Sequence, residues 1–173
     1  AGDVWRAEYA EGRHMLRVVA VHDRRTTGDA VASHPSAGVL QNLPLFRHEP
    51  LRVHLSGART DGHVRASNPI VARHEIAVPE TAMTVVDGIP CTTLARTVAD
   101  LIRTLPLEAA LAAADAALGQ VAWNRMSRVY DEDADAAFRA EVREHMERHR
   151  RARGVRQGRH VLSFADGRAE SPG

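Results

Sequence analysis

The chain has 173 residues, of which 44% are hydrophobic, enough for one core or for one domain with a small appendage. Its formal net charge of +1 indicates no charged partner, and its single cysteine, Cys91, excludes an internal disulfide framework. No apolar run approaches the roughly 20 residues that a membrane span requires. We therefore expect a cytoplasmic protein with no membrane partner.

The first third of the chain predicts two helices. Apolar side chains between residues 7 and 22 recur at helical spacing. Ser33 or Ser36 is placed to cap a second, shorter helix, which should end before Pro44.

Short strands are predicted next. Residues 51–56 alternate between apolar and polar side chains, which is the period of a half-buried strand. Asp87 and Gly88 form a dipeptide typical of a tight hairpin turn. Residues 70–76 and 83–86 are the weaker strand candidates.

The rest of the chain is predicted to be helical. A first helix follows a capping threonine at position 92 or 93. A second begins near Pro106, and we expect Gly119 to end it. A third covers residues 134–152, and Gly154 separates it from a fourth. The first helix should be the centre of the core, with the apolar stripe Leu94, Val98, Leu101, Ile102 and Leu105.

This order of elements, strands before helices, predicts an α+β fold. We expect a small mixed or antiparallel sheet at about residues 51–92, followed by a C-terminal half that resembles a helical bundle. Residues 1–173 should form a single domain.

One sequence motif suggests a metal. His145 and His149 are four residues apart on a predicted helix, a spacing that zinc ligands use. The metalloprotease pattern, however, requires a glutamate directly after the first histidine, and Met146 occupies that position. We therefore expect a solvated helix face, with no metal and no cofactor.

An arginine cluster is the main candidate for ligand binding. Residues 139–160 contain eight arginines and three glutamates, a local net charge of +5. Such a patch suits phosphate groups, and without interleaved aromatic side chains it does not suit base stacking. The alternatives are an ordinary exposed helix end or pairing with Asp131, Glu132 and Asp133. The cluster consists of Arg148, Arg150, Arg151, Arg153, Arg156 and Arg159.

Two further charged groups have structural interpretations. Arg96 and Asp100 are spaced to pair on one face of the first core helix, where they are flanked by apolar residues. Asp133 or Asp135 is expected to cap the third helix. No residue of the chain is predicted to be catalytic.

Two stretches carry a resemblance to a known family. The first comprises residues 32–37 (ASHPSA), 43–45 (LPL) and 50–55 (PLRVHL). The second is residues 87–101 (DGIPCTTLARTVADL), continuing through 105–111 and 115–118. Both are similar to actinobacterial proteins of the AbiEi antitoxin type, and the resemblance covers roughly residues 13–173. Where the family often has Leu-His-Gly, this chain has Leu40-Gln41-Asn42, so a role for that histidine does not carry over.

The resemblance implies a non-catalytic, antitoxin-like module that neutralises a cognate toxin or regulates transcription. Family members begin with a DNA-binding winged helix, of which residues 1–5 would be a remnant. Many continue into a domain similar to very-short-patch-repair endonucleases, to which residues 166–173 would be the linker. The alternatives are an accessory region of such an endonuclease and a scaffold with no activity of its own. DNA contacts would come from the winged helix or from the arginine cluster.

Overall fold

The computed structural model describes residues 9–24, 29–58, 68–124, 126–148 and 150–169. They form two compact units. The first unit holds the described residues up to Asn42 together with Glu49–Thr93; the second holds Leu43–His48 together with those from Leu94 onwards. The α+β prediction is confirmed, with a mixed sheet in the first unit and a mainly helical second unit. Within the described ranges, no helix is long and apolar enough to cross a membrane.

A five-stranded sheet organises the first unit, in the order β3-β2-β1-β5-β4. Strands β1 and β2 are antiparallel, as are β4 and β5, whereas β1 pairs in parallel with β5 and β2 with β3. Both helices of the unit contact β2. The elements are α1 (Ala10–Asp23), β1 (Val31–Ala32), α2 (His34–Leu40), β2 (Val53–Ser56), β3 (Val71–His74), β4 (Met83–Val86) and β5 (Ile89–Thr92).

The sheet begins earlier in the chain than predicted. Its central strand β1 is only two residues long, too short for a detectable alternation of side chains, and it lies outside the expected range of 51–92.

The predicted hairpin turn is present between β4 and β5, where Asp87 and Gly88 both have positive φ, 48° and 81°. Two positive φ values are what a tight hairpin turn of this kind requires.

Cys91 lies in β5 between two neighbouring strands and is completely buried. Burial raises the pKa of its thiol. Gln41 donates from Nε2 to the carbonyl oxygen of Thr92 at 2.7 Å and to Cys91 Sγ at 3.8 Å. The glutamine therefore ties the end of α2 to β5.

In the second unit, three helices pack around a central one. The elements are α3 (Leu94–Thr104), α4 (Leu107–Ala122), β6 (Trp123–Asn124), β7 (Val129–Tyr130), α5 (Glu132–Arg148) and α6 (Val155–Phe164). As predicted for the core helix α3, Val98, Leu101 and Ile102 are completely buried, each worth about 2–5 kcal/mol against truncation to alanine. Leu94, in the first turn, is only half-buried.

Gly119 does not end the second predicted helix, because α4 continues to Ala122. A Cβ atom at position 119 would lie 3.0 Å from the carbonyl oxygen of Gly167. The glycine thus permits a close approach of the segment that follows α6. Over its described part, residues 166–169, the predicted linker packs against α4, and Asp166 donates its amide to the Asp115 carboxylate at 2.7 Å. Residues 1–5 and 170–173 lie outside the described residues.

The capping predictions need correction at two helices. Asp131, rather than Asp133 or Asp135, caps α5, because its Oδ1 accepts the Ala134 amide at 2.9 Å. Asp135 is instead buried and accepts from Tyr130 and Arg139. Ser33 precedes α2 but makes no side-chain cap.

Candidate functional site: a histidine cluster and an arginine-rich corner

Three segments of the first unit bring three histidines together. Since His54 on β2 is in register with Ala72 of β3, His74, two residues further along, lies on the same face of the sheet as His54. The Ser33 amide donates to the His54 carbonyl at 3.0 Å, which places His34, the next residue, beside β2.

The three imidazole rings are in direct contact. The rings of His34 and His74 stack, with centroids 3.9 Å apart and planes 13° from parallel. His54 Nδ1 lies 3.0 Å from His74 Nε2, within hydrogen-bonding distance. One potential ligand atom from each histidine lies within 4.8 Å of the other two. The cluster therefore presents three nitrogen ligands to one small volume.

Buried serines hold the cluster in place. The Ser33 hydroxyl lies 3.1 Å from His34 Nδ1 and accepts from the Ser56 hydroxyl at 2.8 Å. The Ser36 hydroxyl accepts the His54 amide at 2.8 Å and lies 2.9 Å from His14 Nε2. All three serines are almost completely buried. The histidines thus rest on a polar network within the unit, and such networks fix side-chain orientation.

His34 has an unusual backbone conformation. Its φ is +53°, a region that non-glycine residues enter at a cost of about 1–3 kcal/mol. Its side chain is only 4% exposed, so the fold holds a strained residue with its ring against the other two histidines. Strain of this kind concentrates at functional sites.

The environment keeps His54 uncharged. Burial lowers the pKa of His54 to about 3, and positive charge on His34, His74, His14 and Arg52 adds to the effect. A neutral imidazole is the form that binds metal ions. His54 is therefore in the form that can coordinate a metal ion at neutral pH.

No pattern in the sequence predicts this cluster. Its members are separated by twenty residues each and come from the start of a helix and two strands. The only signal was the abundance of histidine, ten residues in all. The contact becomes visible only once the register of β2 with β3 is known.

The arginine-rich corner lies in the second unit and runs from the last residue of α5 into α6. It comprises the six predicted residues, Arg148, Arg150, Arg151, Arg153, Arg156 and Arg159. All six are exposed. Arg148 pairs with Glu144 at 2.6 Å and Arg159 pairs with Glu147. Among the described residues, no carboxylate forms an ion pair with the other four. Asp131, Glu132 and Asp133, the partners considered from sequence, do not neutralise the corner, and Glu132 pairs with Arg168 instead.

The corner contains an open cleft. The cleft has a volume of about 540 Å³ and is lined by Glu147, Arg148, Arg150, Arg151 and Ala152.

Gln157 Nε2 donates to the carbonyl oxygens of Ile102 and Leu105, at 3.0 and 2.8 Å. These bonds satisfy free carbonyls at the end of α3, and they hold the start of α6 against the core helix.

The predicted pair of Arg96 and Asp100 is present, and a third residue joins it. Arg96 Nε donates to one carboxylate oxygen of Asp100 at 2.9 Å, and Arg103 Nη2 donates to the other at 2.7 Å. All three side chains are buried. One carboxylate therefore serves two guanidinium groups inside the protein.

His145, the first residue of the suggested metal motif, is buried, so the expected solvated face is wrong at this position. Burial lowers the pKa of His145, and the positive charge of Arg96 lowers it further. His149 lies outside the described residues. The structure thus shows the six residues of the arginine-rich corner exposed in one unit. Whether His145 and His149 lie together stays untested, because His149 is outside the described residues.

This chain matches no protein-family model, no curated protein and no solved structure at a significant level.

Proposed function

We propose that this chain is a non-catalytic module of an antitoxin-like regulatory protein, and that the arginine-rich corner contacts nucleic-acid phosphates. The observation that carries the proposal is four exposed arginines with no carboxylate partner among the described residues, of which Arg150 and Arg151 line a cleft. Guanidinium groups bind phosphate oxygens through paired N–H donors. The corner would supply sequence-independent affinity for nucleic acid to a protein that neutralises a cognate toxin or regulates transcription.

The shape of the corner favours phosphate contacts over base readout. Its arginines lie at the end of α5, in the adjoining connection and in the first half of α6, and they do not form one face of a long helix that would fill a major groove. The described part of the corner contains no aromatic side chain for base stacking. The hydrogen bonds of Gln157 hold the start of α6, which carries Arg156, against the end of α3.

Binding to duplex DNA is therefore expected to be indifferent to sequence and strongly dependent on salt. If the four arginines each meet one phosphate, log K should fall with log salt with a slope of about −3.6, or on the order of 100-fold between 50 and 200 mM. Arg153→Ala or Arg156→Ala should weaken binding to all duplexes alike and flatten the slope by about one unit each. Fluorescence anisotropy across a salt series measures both quantities.

Arg168→Ala is the matched control. It removes the same charge from the same unit, but Arg168 is already paired with Glu132 and Asp166, so its loss should leave the slope unchanged. Binding that is absent, or that does not depend on salt, contradicts the proposal. So does a slope that responds equally to Arg168→Ala and Arg153→Ala.

The absence of catalysis is tested on the same material. Supercoiled plasmid should remain intact when it is incubated with the chain and Mg²⁺ or Mn²⁺, because Glu144 and Glu147 beside the corner are each paired with an arginine. Metal-dependent nicking that a single substitution in this chain abolishes would make it an enzyme. A role as the accessory region of an endonuclease would leave the plasmid intact and the phosphate contacts unchanged.

A further inference from the structure

We propose that His34, His54 and His74 form a binding site for a divalent transition-metal ion, with zinc as the best-suited candidate. Three imidazole nitrogens from three separate segments already lie within 4.8 Å of one another. Three protein ligands with a fourth position left for water, or for a ligand from outside, is a common zinc arrangement. The site belongs to the first unit and does not depend on the arginine-rich corner.

The distances fit a zinc ion after small side-chain movements. Zinc–nitrogen bonds of about 2.0–2.1 Å in a tetrahedral site place ligand nitrogens about 3.3–3.4 Å apart. His54 Nδ1 and His74 Nε2 are 3.0 Å apart, close to that spacing. The ion would replace the hydrogen bond between these two nitrogens, and the stacked ring of His34 would rotate to direct its nitrogen at the same point.

The surroundings provide the outer interactions that a histidine ligand needs. Ligating imidazoles usually donate their second nitrogen to an oxygen, which fixes the ring. Ser33 Oγ lies 3.1 Å from His34 Nδ1 and is itself held by Ser56, so Nε2 of His34 is the nitrogen assigned to the metal. His54 is held through its backbone, where the buried Ser36 hydroxyl accepts its amide.

The ligand chemistry selects among metals. Imidazole suits zinc, copper, nickel and iron, whereas calcium and magnesium prefer oxygen ligands. An all-nitrogen set should therefore discriminate strongly against the two common hard cations. A metal site would also explain why His34 is buried in a strained conformation. The free energy of metal coordination would offset the cost of its positive φ.

The test is a titration of the chelator-stripped full chain with Zn²⁺ by calorimetry and with Co²⁺ by visible absorption. One ion per chain should bind, with the d–d spectrum of a low-coordinate cobalt site and a rise in melting temperature on addition of Zn²⁺. Mg²⁺ and Ca²⁺ should produce no change. Replacing a ligand should weaken binding by more than about 100-fold, and Ser33→Ala should weaken it by about 10- to 100-fold through the loss of orientation.

Three variants probe the ligands themselves. His74→Ala changes a half-buried residue at the end of the edge strand β3. His54→Ala removes the second strand ligand. His34→Gly removes the third ligand at a position whose φ of +53° glycine adopts freely, so the fold should survive. Circular dichroism and the melting temperature without metal confirm the folding of each variant.

Controls separate this site from others. His160→Ala removes an exposed histidine of the second unit and should leave metal binding unchanged. Loss of binding in His145→Ala, with full binding in the three cluster variants, would assign the ion to helix α5 and overturn the proposal. Absence of stoichiometric binding to the folded, stripped chain would also overturn it.

Discussion

Asp100→Ala is expected to lower the free energy of unfolding by about 3–5 kcal/mol, because it leaves two guanidinium groups buried without a counter-charge. The side chains of Arg96, Asp100 and Arg103 are 3%, 1% and 6% exposed. Water therefore cannot replace the lost hydrogen bonds without opening the helical core. Urea denaturation of the variant and of the parent chain measures the difference through the midpoint and the slope.

Glu144→Ala is the matched control for this result. Glu144 also pairs with an arginine four residues away in a helix, Arg148, at 2.6 Å, but both members of this pair are exposed. Solvent and salt screen such a pair, so its removal should produce no resolvable change in the urea midpoint. Equal effects of the two substitutions would show that burial of the Asp100 network does not determine its contribution.

Gly154→Ala should destabilise the second unit by about 2–5 kcal/mol, combining strain in a left-handed backbone with overpacking. Gly154 has a φ of +85° and precedes α6. A Cβ atom there would lie within 2.9 Å of the carbonyl carbon of Arg103, and closer still to its oxygen. Because neither backbone can yield without moving the end of α3 or the start of α6, the substitution should also disturb the arginine-rich corner.

Gly88→Ala separates the two causes. Gly88 has nearly the same φ, +81°, but a Cβ atom there would meet nothing within 4 Å. Its substitution should cost only the conformational term, about 1–2 kcal/mol. Thermal or urea unfolding of both variants gives the comparison. If Gly154→Ala lowered the free energy of unfolding no more than Gly88→Ala, the close approach of residue 154 to Arg103 would not contribute to the destabilisation.

Much of the fold could be predicted because the periodic signals were strong. The apolar stripe from Leu94 to Leu105 identified α3 almost to its ends. Three of the predicted strands match β2, β3 and β4 to within two residues at each end. Elements of two residues, β1 and the β6–β7 hairpin, contain too few side chains for any period to show. The prediction that Gly119 ends a helix was wrong for a different reason. Glycine occurs at helix ends, but it also occurs where another segment packs closely against a helix, as Gly167 does here.

The site was predictable only where it is local in sequence. The arginine-rich corner is one continuous segment, so its charge could be counted directly. The pairing of Arg148 with Glu144 follows a spacing of four residues that a helix makes favourable. The histidine cluster depends on strand register, which no local pattern specifies here. The histidine cluster could therefore not be predicted from the sequence, because it forms only when strands distant in the chain pair in a particular register.

The burial of Cys91 gives this protein an internal reporter of opening. It is the single cysteine of the chain, it lies in β5 between β1 and β4, and its thiol is completely buried. A thiol-reactive dye needs both access and a thiolate, so it will label the chain only when the sheet separates locally or unfolds. The labelling rate under native conditions therefore measures how often the sheet opens, and the rate with and without Zn²⁺ would report metal-dependent tightening without any engineered probe.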